Sequence, residues 1–276
     1  MRVALVVAVG CAPTCLGLSS DESAARRVRR IDAIVAAFVA DAAAMPLHWI
    51  YDTDDLDAIL VEANRTERPE FLSPSRAPYY SYPTGEFTPF GEQMLVYLRA
   101  LADSGGSFDA DATAAAYADY YSAAAVASRP FESYVDRATT EFLVNYGAGR
   151  RPPSSGGDDA ETNAIAHVLP VAAARAGFPD FLESCERAIR VVQNNDDAVA
   201  FGLTFARVLE AAILGDSPAA AVRRAQAALA RGAGGNRNDA FFARGLAKMD
   251  AWRGTGVRRL TRARTWPGRR RSRSYA

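Results

Sequence analysis

The chain contains 276 residues with a formal net charge of zero, and 49% of its residues are hydrophobic while 23% are charged. This apolar fraction excludes a chain that is disordered throughout, and 20 glycines, 14 prolines and three cysteines exclude a collagen and a disulfide-based scaffold. Past residue 20, no apolar run reaches the roughly 18 residues that a membrane span requires, so no span is expected.

The first 20 residues have the composition of a signal or organelle-targeting segment. One arginine precedes an apolar stretch, and Gly17 and Ser19 would suit the positions before a signal peptidase cleavage site. The alternative is a buried strand or a lead-in to the first helix, and a chain without a targeting segment would be cytoplasmic. Cleavage would leave Cys185 as the single thiol, so the mature fold would not depend on a disulfide.

Apolar residues at helical spacing dominate the rest of the chain, whereas alternating strand patterns are scarce. Spacing predicts seven helices, over Ser23–Ala44, Phe90–Ala102, Ala112–Ala127, Phe131–Tyr146, Asp180–Val192, Ala198–Leu214 and Ser217–Gly232. Thr88 is the predicted N-cap of the second of these helices. Asp180 and Glu183 are predicted to form a capping box at the start of the fifth. We therefore predict an all-α fold, a single compact multi-helix bundle of roughly ten helices over residues 21–252. Ala198–Leu214 is apolar nearly all round, which predicts a central helix.

Several classes of enzyme are excluded by missing motifs. The chain has two histidines, His48 and His167, without metal-binding spacing, which argues against a zinc enzyme. It also lacks a Gly-x-Ser-x-Gly elbow, a phosphate-binding loop and a dinucleotide fingerprint. The segment Arg68–Phe90 interrupts the helices with five prolines and several aromatic residues, and long loops of this kind are often functional.

Three polar segments each allow a functional and a structural interpretation. Tyr51–Asp57 is either a carboxylate site for a hard cation or, as we favour, a helix start with Thr53 as N-cap. Gly156–His167 predicts a helix capped by one of its aspartates, where Asn163 either holds a phosphate or ribose or simply belongs to an amphipathic helix. Gln193–Asp197 is either a polar site at the edge of the core or an asparagine-rich turn with an N-cap.

The zero net charge conceals an acidic body and a basic end. Residues 1–221 carry 17 Arg and 30 Asp or Glu, whereas residues 222–276 carry 14 Arg, one Lys and two Asp, which gives net charges of −13 and +13. We predict that residues 253–276 form a disordered, Arg-rich tail. Two alternatives stay open for this tail: it binds RNA or another acidic partner, or a shifted reading frame or wrong splice has replaced the true C-terminus.

Four segments in chain order resemble motifs of the ADP-ribosylglycohydrolase superfamily. Val39–Asp52 is similar to a Gly-Asp-Ala-x-Gly-x-Pro signature, with Asp41 and Pro46 at matching positions and alanine in place of both glycines. The following His48-Trp49-x-Tyr51 resembles the branch that contains the J-type crystallins.

The remaining segments agree with this resemblance. Pro83-Thr84-Gly85 and then Gly91-Glu92-Gln93 resemble the next motif of that branch, which lies at a helix start. Glu161–Ala166 with Leu169-Pro170 resembles the helix whose asparagine lies near the ribose, and Gln193-Asn194-Asn195 before an alanine-rich helix also fits.

The resemblance covers about residues 23–250 and implies an all-α orthogonal bundle with a central cleft. Active members use two Mg²⁺ ions to hydrolyse an N- or O-glycosidic bond of ADP-ribose, so ADP-ribose or an ADP-ribosylated protein is the implied ligand. The implied site residues are Glu92 as the catalytic residue, Glu92 and Gln93 at the metal, and Asp41, Asn163, Asn194 and Asn195 at the ligand.

Two departures weaken the implied metal site. The family's Thr-Asp-Asp-Thr motif maps onto Gly91–Met94, where Gln93 is neutral and Met94 offers no hard oxygen. The late Asp-x-Asp-Thr motif is missing from the sequence. The sequence is therefore also compatible with a catalytically inactive, crystallin-like member that has lost its ions, and less well with an RNA-associated protein that uses the Arg-rich tail.

Overall fold

A computed structural model describes residues 20–131, 133–232 and 239–253. In these ranges the chain forms eleven α-helices and no strands beyond one isolated bridge, which confirms the predicted all-α fold. The helices are α1 Ser20–Ala44, α2 Thr53–Glu62, α3 Pro89–Asp103, α4 Ala110–Tyr120, α5 Ala123–Ala127, α6 Arg137–Gly147, α7 Ala164–Arg175, α8 Phe181–Val192, α9 Asp196–Ile213, α10 Pro218–Ala230 and α11 Asp239–Arg253.

Two predictions concern residues that the structure does not describe. The targeting segment lies outside the described residues apart from Ser20, and the Arg-rich tail lies outside them apart from Arg253. Within the described ranges, none of the helices combines the length and the apolar character needed to cross a membrane.

The start of α3 follows the prediction closely. The Thr88 side chain accepts hydrogen bonds from the N–H groups of Phe90 and Gly91, and Pro89 occupies the first turn. For α2 the favoured interpretation as a helix start is correct, but the N-cap is Asp52 and not Thr53. The Asp52 carboxylate accepts hydrogen bonds from the N–H groups of Asp54 and Asp55.

Two predicted helices have different boundaries. The stretch Ala112–Ala127 divides into α4 and α5, since the Ser122 side chain accepts from the Ala125 N–H and begins a new helix. The stretch Phe131–Tyr146 becomes helical only at Arg137, because Asp136 is the N-cap of α6 and accepts from the Thr139 N–H. A capping side chain thus decides both boundaries.

One further predicted helix start is wrong, and the helix predicted over Asp180–Val192 is found as α8 but lacks its predicted capping box. No helix begins at Asp158 or Asp159; α7 starts at Ala164, and Asp159 instead accepts from the Glu161 N–H within the preceding loop. Asp180 precedes α8 but makes no capping bond with its side chain, which pairs with Arg175 and Ser184 instead. The predicted capping box is therefore absent.

Helix α7 is the most central element of the described bundle. It packs against α1, α3, α8 and α9 and is buried along most of its length. Helix α9, which the sequence predicts at the centre, lies beside it and contacts α8 and α10 as well. Cys185 on α8 is fully buried in the core next to these helices, as its spacing predicts, and burial raises the pKa of its thiol.

The long loop between α2 and α3 folds onto the end of α1. Tyr80 and Tyr82 in this loop are buried and pack with Met45, which begins the 3₁₀ helix Met45–Leu47 directly after α1. The loop therefore brings its last residue, Thr88, and the start of α3 against the C-terminal end of α1.

Candidate functional site

A cavity of about 240 Å³ lies between the end of α1 and the first turns of α3 and α7. Its polar lining comes from Asp41, Thr162 and Asn163, and its apolar lining includes Phe90, Met94, Ile165 and Leu169. Of the residues implied by the family resemblance, Asp41 and Asn163 line this cavity directly. Glu92 and Gln93 follow Gly91, which also lines it.

Asp41 joins the end of α1 to the start of α3. Its Oδ2 accepts from the Thr88 N–H at 2.8 Å and its Oδ1 accepts from the Thr88 hydroxyl at 2.5 Å. Burial raises the pKa of Asp41 to about 6, although the two bonds from Thr88 oppose this increase. A Cβ atom at position 91 would lie 2.2 Å from the Asp41 carboxylate, so this close approach requires glycine.

Glu92 is buried in the first turn of α3 and forms an ion pair. Its Oε2 lies 3.3 Å from a terminal nitrogen of Arg129, and the side chains are only 10% and 11% exposed, respectively. Burial raises the pKa of Glu92, while the Arg129 charge and the Tyr120 hydroxyl oppose that increase. The carboxylate is therefore already neutralised by a cation of the chain itself.

The next residue, Gln93, is fixed by hydrogen bonds from both ends of its amide. Its N–H donates to Asp136 Oδ2 at 2.6 Å, and its oxygen lies 2.9 Å from Nε2 of His167. Because an amide oxygen only accepts, His167 must donate from Nε2. Burial lowers the pKa of His167 to about 4, so its ring, which stacks on Tyr97, is neutral at pH 7.

Asn163 connects this network to the cavity. Its N–H donates to the same Asp136 Oδ2 at 2.8 Å, so one carboxylate oxygen receives donors from α3 and from the start of α7. The other oxygen, Asp136 Oδ1, accepts from the Thr139 N–H at 2.7 Å. Within the described part of the chain, the buried Oδ1 of Asn163 has no hydrogen-bond partner.

Asn194 and Asn195 lie away from this cavity. Asn194 accepts from Arg190 at 2.8 Å and lines a separate depression of about 540 Å³ beside α6. Asn195 is the N-cap of α9 and donates to Asp158 at 2.7 Å. The structure therefore brings Asp41, Glu92, Gln93 and Asn163 together and places these two asparagines in helix-terminal contacts elsewhere.

Arg129 and Asp136 contribute to the site although the sequence does not single them out. Arg129 pairs with a residue 37 positions away and Asp136 with one 43 positions away, so local spacing carries no sign of either contact. The only local signal was that an aspartate before a helical stretch suits an N-cap, which is the bond Asp136 makes to Thr139.

Comparison with known proteins agrees with the fold and with the motifs. A sequence model of the ADP-ribosylglycohydrolase family matches residues 22–273. The chain belongs to the ADP-ribosylglycohydrolase family. This family acts on ADP-ribose substrates and is generally metal-dependent.

Two similar proteins are crystallins from Tripedalia cystophora. Crystallin J1A is 32% identical over 210 residues, which are 71% of this chain and 61% of that protein. Crystallin J1B is 32% identical over 195 residues, 66% of this chain and 57% of that protein. The chain thus spans about three-fifths of the length of these relatives, and the predicted likeness to the J-type-crystallin branch is confirmed.

A solved structure shares the fold. It is described as an ADP-ribosylglycohydrolase-related protein complex, and it superposes with a TM-score of 0.53 over 74% of this chain and 61% of its own chain. Its sequence identity is 20%, so it is evidence for the common helical architecture alone.

The residues at the family's first metal motif do not fit a magnesium site. The carboxylate oxygens that a metal ion would need already have partners. Both oxygens of Asp41 accept hydrogen bonds from Thr88, and Glu92 forms an ion pair with Arg129. The two oxygens of Asp136 accept from three N–H groups. Gln93 would offer a neutral amide oxygen that already accepts from His167. In the described ranges, no three His, Cys, Asp or Glu side chains lie close enough together to hold a metal ion.

Proposed function

We propose that this ADP-ribosylglycohydrolase-family protein binds ADP-ribose, free or attached to a protein, in the cavity between α1, α3 and α7, without magnesium-assisted hydrolysis. The observation that carries the proposal is the position of Asn163. It lines the cavity, and its buried Oδ1 lacks a hydrogen-bond partner among the described residues. An unpaired buried acceptor is costly, and a small movement of the Asn163 amide towards the cavity would let a ligand hydroxyl, such as that of a ribose, donate to it.

The rest of the lining suits the same ligand. The N-terminus of α7, which carries partial positive charge, supplies Thr162, Asn163, Ile165 and Ala166 to the cavity. Helix N-termini favour phosphate groups, and the apolar side chains of Met94 and Leu169 would cover the flat face of a base or sugar.

Binding is tested by thermal unfolding with ADP-ribose, in EDTA and in millimolar Mg²⁺ at matched ionic strength. We expect equal stabilisation in both buffers, about 2.7 kcal/mol at a ligand concentration of 100 Kd. Ala37→Phe would fill the cavity from α1 and abolish the effect, whereas Ala36→Phe, at an exposed position one residue away, would preserve it.

The outcomes separate the proposal from its alternatives. If ADP-ribose does not stabilise the protein in either buffer, the binding proposal is wrong. If stabilisation requires Mg²⁺, or if the protein releases ADP-ribose from a modified protein, then the protein uses magnesium at this site or is catalytic, and the non-catalytic part of the proposal is wrong.

A further inference from the structure

We propose that Arg129 is the resident cation of this site: its guanidinium, and not a divalent metal ion, neutralises Glu92 at the start of α3. The inference concerns the same region as the proposed function but does not depend on ADP-ribose binding. It follows from how Arg129 is held, from how the neighbouring carboxylates are bonded, and from the burial of the pair.

Arg129 is fixed by contacts on several sides. One terminal nitrogen of its guanidinium lies 3.3 Å from Glu92 and also donates to the Ser133 hydroxyl at 2.9 Å. The other terminal nitrogen donates to the Tyr120 carbonyl at 3.0 Å. The guanidinium also lies over the Tyr120 ring at 4.4 Å from its centroid, and Tyr121 is 5.3 Å away. An arginine held by hydrogen bonds and stacking keeps its charge in one place, as a bound ion would.

The neighbouring carboxylates are held by neutral donors, which occupy their oxygens without cancelling their charge. Asp41 is bonded by Thr88, and Asp136 by the N–H groups of Gln93, Asn163 and Thr139. Glu92 is the carboxylate that receives a full positive charge. A divalent ion would have to displace Arg129 from a contact that is almost excluded from water, leaving two buried charges to be rearranged.

The proposal is tested with a double-mutant cycle on the full-length protein, in which Arg129→Met, Glu92→Gln and the double variant are each measured by urea unfolding without any nucleotide. Arg129→Met leaves Glu92 buried without its counter-charge, so we expect the unfolding equilibrium constant to rise roughly a hundredfold. The double variant Arg129→Met/Glu92→Gln carries no unpaired charge, and we expect it to recover at least about tenfold of this loss. Arg137→Met is the control, because Arg137 pairs with Glu141 at the exposed surface and should change stability little.

A second measurement addresses the metal directly. Thermal unfolding of the unmodified protein in Mg²⁺ or Mn²⁺, compared with EDTA at matched ionic strength, should give the same midpoint. A higher midpoint in Mg²⁺ that Glu92→Gln abolishes would overturn the proposal, because a metal would then bind Glu92 with Arg129 present.

The cycle can also overturn it. If the double variant is as unstable as Arg129→Met, or if neither variant folds, then Arg129 acts through its packing on the tyrosines and not as the counter-charge of Glu92. Because no ADP-ribose is present, these results are independent of the ligand titration.

Discussion

Asp41 shows how little space separates α1 from α3 at the candidate site. Its carboxylate reaches the first turn of α3, where it occupies the volume that any Cβ at position 91 would need. Phe87 restricts the same space from another side, at 2.8 Å from that Cβ position. The glycine at position 91 therefore serves close packing, since its contacts and not an unusual backbone angle exclude a larger residue.

Gly91→Ala should destabilise the protein by about 1–3 kcal/mol, because Asp41 or α3 would have to shift. The measurement is urea unfolding. Gly245→Ala on α11 is the matched control, since a Cβ there would meet no atom within 4 Å and alanine favours a helix. If Gly91→Ala and the unmodified protein were equally stable, α1 and α3 could move apart at little cost, and close packing would not explain the glycine.

The raised pKa of Asp41 predicts a pH dependence of stability. Since the folded pKa of about 6 exceeds the unfolded value of about 3.9, the folded state binds more protons between these values. Stability should therefore fall by up to about 2 kcal/mol as pH rises from about 4 to 6, and Asp41→Asn should remove this part of the profile.

The comparison with Asp41→Asn is needed because the histidines act in the opposite direction. Burial lowers the pKa values of His48 and His167 to about 4, so their contribution to stability decreases as pH falls through the same range. The difference between the two profiles isolates Asp41, and identical profiles would contradict its raised pKa.

At the scale of elements, three helix starts meet through one polar network. Asp136 precedes α6, Gln93 lies in the first turn of α3, and Asn163 precedes α7. Their side chains are buried and mutually bonded, so the network fixes the relative position of three helices.

Gln93→Glu should destabilise the protein by about 2 kcal/mol or more at pH 7. The substitution replaces a donor by a carboxylate directly against Asp136, and two buried like charges repel. Urea unfolding at pH 7 and at pH 5 measures the loss, which should shrink at the lower pH as one carboxyl is protonated. Gln226→Glu on the partly exposed side of α10 is the control, and an equal effect of both variants would contradict the explanation.

Helical periodicity predicted most elements, because each helix buries one apolar face. It failed at Ser122 and Asp136, since a single polar residue can either lie on the outer face of a helix or cap a new one. For the site, the motifs selected Asp41, Glu92, Gln93 and Asn163, which converge. Nothing local predicted that Arg129 and Asp136 would bond them, because those contacts exist only after distant helices have packed.

At the scale of the whole molecule, charge is distributed unevenly around the cavity. Asp41 lines it, and the adjoining loop before α7 carries Asp159 and Glu161, whose pKa values are raised by burial. The acidic body of residues 1–221, with its net charge of −13, adds to this negative field.

An anionic ligand should therefore bind this cavity more tightly as salt increases from low to moderate concentration. Screening weakens the repulsion between ADP-ribose and the surrounding carboxylates. Calorimetric titration over a range of NaCl concentrations would show the trend, and adenosine, which is uncharged, should bind with an affinity that salt does not change. A steep loss of ADP-ribose affinity with salt would instead indicate that cationic side chains dominate the contact.

The bond between Asp41 and Thr88 has a consequence for redesigning the cavity. One side of it, where α1 meets α3, cannot be widened without breaking that bond or moving a helix against a carboxylate. On the opposite side, Asn163 and His167 tie α7 to α3 through Asp136 and Gln93. The side chains of Thr162, Ile165 and Ala166, which also line that side, make no hydrogen bond to α3 within the described ranges. Substitutions that are meant to change ligand preference are therefore best made on the α7 side, while the residues of the α1–α3 side are left unchanged.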